Sequence, residues 1–154
     1  MSGSALVALA RGWIGTPYRH QAALKGAGCD CLGLIRGLWQ EWHGTPPEAP
    51  PPYGADWAEA GREERLWRAL AQHMREVPGA PMAEGQVLLF RMRARRVAKH
   101  LGVLSAGRGG WAFIHAYERH GVVESPLSAP WARRMVARFG AGLLVSEMVA
   151  STEM

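Results

Sequence analysis

The chain has 154 residues, 48% of them hydrophobic and 20% charged, with a net charge of +5 and a pI near 9.9. That length suits one domain with a sizeable buried core, and the composition excludes a disordered tail and a fibrous protein. Two cysteines are too few for a disulfide scaffold, and the modest positive charge fits an anionic partner without choosing among cell wall, nucleic acid and acidic peptide.

The opening Met-Ser-Gly-Ser-Ala-Leu-Val-Ala-Leu-Ala has no basic residues ahead of its apolar run, which stops at Arg11. It predicts a short helix capped by Ser4 and ending near Trp13, rather than a signal peptide. No apolar run approaches the ~18 residues a membrane helix needs. The expectation is synthesis in the cytoplasm without a secretion signal, so an external substrate would require delivery by other means. Gly15-Thr16-Pro17 breaks the helix, and a loop carrying Tyr18, Gly26 and Gly28 follows. Asp30 is a good N-cap for a second helix, Cys31 to about Trp42, whose apolar stripe is Leu34, Ile35, Leu38, Trp39 and Trp42. Gly33 and Gly37 inside it cost roughly 1 kcal/mol each, which predicts close approach of another backbone.

Thr45 to Tyr53 holds five prolines and reads as a stiff polyproline-like connector. Arg62 to Val77 is expected as a third helix, ended by Pro78 and Pro81. The second half then changes character. Gln86–Phe90, His100–Leu104, Trp111–Tyr117 and Gly121–Glu124 read as short strands. Helices first and strands later imply an α+β fold, with N-terminal helices packed on a small antiparallel sheet. After Trp131, Arg133–Phe139 is an edge-strand candidate, and Gly142–Met148 a strand or frayed helix. The expected organisation is one domain over 1–154, with its core in about 5–124 and a C-terminal strand or tail in 125–154.

Three residues carry the chemistry. Cys31 sits in the first turn of its helix, where unpaired N–H groups and the dipole favour a thiolate. The alternative is a small core residue, as free cysteine often is. Ser105-Ala-Gly-Arg-Gly-Gly110 is a natural hairpin connection. With the turn centred between Gly107 and Arg108, His100 faces His115 across the strands, Cβ atoms roughly 5 Å apart. An odd-length loop or a bulge would break that register, and either histidine alone would read as a surface or packed residue. A thiol beside an imidazole that a second polar group orients is the arrangement for acyl transfer through a thioester.

These residues bear a family likeness. Asp30-Cys31-Leu32-Gly33-Leu34, preceded by Gly15-Thr16-Pro17-Tyr18, resembles the nucleophile region of the NlpC/p60 cell-wall peptidases. Glu84-Gly85-Gln86-Val-Leu-Leu-Phe90 resembles their Gly-Asp-x-x-x-Phe strand, His100-Leu-Gly-Val-Leu104 the segment with the catalytic histidine, and Phe113-Ile-His115-Ala116 the one with the orienting residue. Leu32 stands where the family usually has Ser or Ala, and Gln86 where it has Asp. The spelling Cys29-Asp-Cys-Leu-Gly-Leu34 is similar to the subgroup encoded by phages and gene transfer particles within tail-gene clusters. The resemblance implies a circularly permuted papain-like fold and cleavage of peptidoglycan stem peptides, typically between D-γ-glutamate and a diamino acid. On it, Cys31 is the nucleophile, His100 the base and His115 the residue that orients it. Tyr18, Asp30 and Leu32 are the oxyanion- and substrate-binding candidates. Phage-like tail proteins are the implied partners, and the implied location is a tail particle acting on the wall or in the periplasm.

Cys29 is expected to pack in the core or a loop. A zinc site from Cys29, Cys31, His100 and His115 is set aside, because the helix start points the two sulfurs apart; no cofactor is implied. Arg91, Arg93, Arg95, Arg96 and Lys99 read as a solvated face, or as a basic rim for substrate carboxylates. The aromatics are not interleaved with them, which argues against nucleic acid. His20, His43, His73 and His120 read as structural or surface. Two other roles remain open: a catalytically silent tail-tip or peptidoglycan-binding protein, and an amidase or acyltransferase with the same three residues.

Overall fold

The computed structural model describes residues 2–44, 64–94 and 96–144, the last four as backbone only. Ser2 rather than Ser4 caps the first helix. Its Oγ accepts from the Ala5 N–H at 3.2 Å, and α1 runs Gly3–Arg11. Within the following loop, β1 (Ala23–Leu24) and β2 (Gly28–Cys29) form a minimal hairpin. α2 spans Cys31–His43, capped by Asp30 and stopped by Gly44 in the left-handed region at φ 78°. Of the two glycines of α2, Gly33 meets another backbone as expected, whereas Gly37 meets a side chain. A Cβ on Gly33 would overlap the Ala22 carbonyl, and one on Gly37 would overlap the Trp13 ring.

Of the expected helix over 62–77, residues 62 and 63 lie outside the described residues, and the described part is shorter. α3 covers Arg65–His73, and the chain then turns extended as β3, Met74–Glu76. Leu66 and Leu70 are buried as its stripe requires, but Met74 is pulled into a ladder opposite Leu144, so sheet pairing overrides the helical pattern. The proline connector Thr45–Tyr53 lies outside the described residues.

The four expected strands are present. They are β4 (Val87–Phe90), β5 (His100–Gly107), β6 (Gly110–Tyr117) and β7 (Gly121–Pro126). The C-terminal part differs from expectation. Arg133 belongs to a short helix, α4 (Ala129–Arg134), and the strand β8 is Met135–Leu144. It is no edge strand, for it lies between β3 and β4 in one antiparallel sheet of order β3-β8-β4-β5-β6-β7. Ala137 and Phe139 thereby join the core, beyond the 5–124 span. The part of the 142–148 stretch after Leu144 lies outside the described residues.

The sheet separates two apolar layers. On one face Leu101, Val103, Ile114 and Phe139 pack with Leu6, Val7, Leu34 and Leu66 of the helices. On the other, Leu88, Phe90, Leu104 and Phe113 form a smaller layer closed by Trp131 and Met135. No helix among the described residues is long and apolar enough to cross a membrane.

Candidate active site

The β5–β6 hairpin closes on a two-residue turn, Arg108-Gly109, with Gly107 paired to Gly110. Val103 therefore faces Ile114 and Leu104 faces Phe113. Continued past its last pair, Val103–Ile114, that register sets His100 against Tyr117 and His115 against Gly102, which makes the histidines diagonal neighbours rather than a directly facing pair. The difference is two residues, and a shift of two keeps both side chains on one sheet face. Their rings meet edge to face with centroids 5.0 Å apart. His100 Nε2 and His115 Nδ1 share a hydrogen bond of 2.7 Å. Gly102 makes room for this, because a Cβ there would press on the Phe113 ring at 2.8 Å.

The chain of bonds continues. His115 Nε2 lies 2.9 Å from Ser125 Oγ on β7. Trp131 of α4 covers both imidazoles, its ring centroid 5.6 Å from that of His100 and 5.3 Å from that of His115. Sequence reasoning missed both residues. Ser125 was within reach of it: β7 extended to Pro126 pairs Phe113 with Ser125 and puts that hydroxyl on the histidine face. Trp131 gave no such signal, since α4 has no apolar stripe of its own. Burial is the main reason that both imidazoles are hard to charge. It pushes His100 down to about 3, with His115 and Lys99 adding to it. It pushes His115 down to about 4, with help from His120. Both rings are neutral at neutral pH.

Cys31 is half-buried at the start of α2. Its thiol donates to the Lys99 carbonyl at 3.5 Å, so the sulfur meets the sheet one residue before His100. The two side chains line the same cleft, about 560 Å³ in volume. The expected thiolate is not the resting state. Burial pushes the thiol up to about 12 and the Asp30 carboxylate adds to that, while backbone N–H groups of Leu101, Leu32 and Cys31 oppose it.

Asp30 lines the same cleft and also holds the local architecture. Its Oδ1 accepts from the Gly33 N–H at 2.7 Å and its Oδ2 from the Gln21 N–H at 2.8 Å, tying the loop to α2. Tyr18 bridges to Cys29 and stands in the cleft near Cys31. Burial first, and the nearby Cys31 second, raise its hydroxyl above the ordinary tyrosine range, so it stays a donor. Leu32 also lines the cleft.

No family model matches the sequence, and no curated protein does. Solved structures do match. The NlpC/p60 domain of the peptidoglycan hydrolase SagA superposes with a TM-score of 0.58 at 20% identity, covering 91% of this chain and 99% of that one. An NlpC/p60 family protein from Bacillus cereus gives 0.62 at 17% identity over 92% of this chain. NlpC1 from Trichomonas vaginalis gives 0.59 at 17% over 90%. The chain spans 40% of the Bacillus protein and 43% of the Trichomonas one. The fold is that of NlpC/p60 domains.

Around this NlpC/p60 frame the remaining polar residues sort into two groups. Gln86 donates to the Pro81 carbonyl at 3.0 Å and accepts from Arg138 at 3.1 Å, so it fastens β4 to β8. Arg91 pairs with Glu64 at 3.3 Å and is structural. Cys29 is fully buried in the core, its thiol also pushed up to about 12 by burial. His43 and His73 pack on Trp39. The cleft itself gathers Arg93, Lys99, Arg119, His20 and His120, so two histidines read from sequence as structural or surface line the site. Arg95 lies outside the described residues. Among the described residues no group of three or more His, Cys, Asp and Glu is arranged to hold a metal ion.

Proposed function

We propose that the chain is a cysteine endopeptidase that hydrolyses amide bonds of peptidoglycan stem peptides, at the D-γ-glutamyl–diamino acid linkage. The observation that carries this is a thiol sharing a cleft with an imidazole whose Nε2 is held by a second imidazole at 2.7 Å. The reaction starts from a neutral pair. As Cys31 Sγ attacks the amide carbonyl carbon, its proton passes to His100 Nδ1. The Cys31 backbone N–H and the Tyr18 hydroxyl are the donors for the oxyanion; losing one such donor typically costs ~10²–10³ in rate. The C–N bond then breaks, the amine leaves with the proton from His100, and a thioester remains. Water, deprotonated by His100, cleaves the thioester and returns the thiol.

Stem peptides carry carboxylates, and Arg93, Lys99 and Arg119 along the cleft suit them. The Cys29-Asp-Cys-Leu-Gly-Leu34 spelling supports a tail-associated role at the wall or in the periplasm; cosedimentation of the chain with phage-like particles is the result that role predicts. For the chemistry, the test is mass spectrometry of muropeptide digests. Cys31→Ala should lower turnover by at least ~10³, the scale of a lost nucleophile. An alanine variant as active as the parent would remove the mechanism. A binding-only protein is the second reading, favoured by the protonated thiol and by Leu32 at the cleft. It predicts retention on peptidoglycan with no new amine or carboxyl termini.

A further inference from the structure

The two imidazoles form a chain whose direction the hydrogen-bond distances leave open. A neutral imidazole has one N–H and one lone pair, so each ring donates once and accepts once. If His100 Nε2 donates to His115 Nδ1, then His115 Nε2 carries a proton and needs an acceptor. In that arrangement His100 Nδ1 is bare and can take a proton. If the chain runs the other way, His115 Nδ1 donates to His100 Nε2, and the proton of His100 sits on Nδ1. That ring cannot act as a base towards Cys31. The choice is made at the far end, where His115 Nε2 meets Ser125 Oγ at 2.9 Å.

We infer that Ser125 is a positioning residue: its oxygen accepts from His115 Nε2–H and so fixes the tautomer that leaves His100 Nδ1 free of a proton. This rests on the reading of His100 as the base. Three observations support it. His115 is fully buried, so its Nε2 depends on Ser125 for a partner, and an N–H there would go unsatisfied without it. Ser125 is only half-buried, so its hydroxyl hydrogen can turn to water while a lone pair faces the ring. Trp131 and Phe113 pack against the His115 ring, at 5.3 Å and 4.1 Å between centroids, which keeps it from turning to another partner.

With Ser125→Ala the buried His115 Nε2–H loses its acceptor. The pair then gains by reversing, with the lone pair of His115 on Nε2 and the proton of His100 on Nδ1. The test is nitrogen-15 NMR of the two imidazoles in the full-length protein near pH 7.5, with steady-state kinetics on a muropeptide. In the parent, His100 should show a bare Nδ1 and a protonated Nε2. In Ser125→Ala the Nδ1-protonated form should grow to a major population. The kcat should fall at least ~10-fold, the scale seen when the hydrogen-bond partner that orients a metal-bound histidine is removed, with KM changed less than twofold. Ser125→Thr keeps the hydroxyl and should restore both readouts. Unchanged ring-nitrogen shifts in Ser125→Ala overturn the inference, as does an unchanged kcat beside shifted tautomers. If the tautomers respond as stated but the parent cuts no peptide, the positioning role stands and the peptidase reading falls.

Discussion

Two effects act on the Cys31 sulfur in opposite directions. The helix start is worth up to about 1 kcal/mol for an anion, less than one pH unit of thiol acidity. Burial and the Asp30 carboxylate move the thiol from 9.0 to about 12. The larger effect wins, and the cap that makes α2 begin at Cys31 also holds its neighbour protonated. Labelling by iodoacetamide should therefore rise ~10-fold per pH unit between pH 7 and 9, because only the thiolate reacts. Cys31 should still label before the fully buried Cys29. A labelling rate already flat above pH 7 would mean a standing thiolate and contradict this account. Asp30 has a second, structural load. Asp30→Ala removes the acceptor of the Gly33 and Gln21 N–H groups and should cost ~1–3 kcal/mol, read as a lower urea midpoint. An unchanged midpoint would show that other contacts hold the start of α2.

At the scale of elements, the turns decide more than the strands. Moving the β5–β6 turn by one residue changes the pairing by two, so the histidines stay on one face and change from facing to diagonal. The β6–β7 turn carries a different feature. Arg119 sits there at φ 71°, a conformation costly for a residue with a Cβ, and it lines the cleft beside Arg93 and Lys99. Strain kept at a cleft is reasonable if the side chain is used. Arg119→Gly should leave stability unchanged or raise it by up to ~1 kcal/mol. It should raise KM several-fold for a stem peptide with a free carboxylate, and little for its amidated form. Equal effects on both peptides would mean that Arg119 reads no carboxylate. The segment that reads as helix over 62–77 shows the limit of periodicity, since Met74 fits a helical stripe and is nonetheless taken by β8.

For the whole molecule, the buried histidine pair links stability to acid. Both imidazoles ordinarily titrate at 6.5, while in the fold His100 lies at about 3 and His115 at about 4. As pH falls below 6.5 the unfolded chain takes up protons that the native one refuses. Stability is therefore full above that pH and declines towards pH 3, by as much as ~1.4 kcal/mol per unit for each histidine. The urea midpoint should be clearly lower at pH 5 than at pH 7.5, and His115→Asn should reduce that drop. An equal drop in the variant would place the acid sensitivity elsewhere. The bidentate Arg11–Glu124 pair, at 3.1 and 3.0 Å, ties α1 to β7; partly in water, it contributes about 1 kcal/mol or less.

Local patterns settled what can be settled locally. A capping residue, a period of about 3.6 and a period of two are written in neighbouring residues. From them came the start of α2 at Cys31, the four strands, and the shared face of His100 and His115. The tertiary structure alone decided the rest. It placed β8 inside the sheet, moved the hairpin register by two, brought Trp131 over the imidazoles and kept the thiol protonated. Apart from the hairpin register, which the Arg108-Gly109 turn sets locally, each of these depends on contacts and desolvation between segments far apart in the chain.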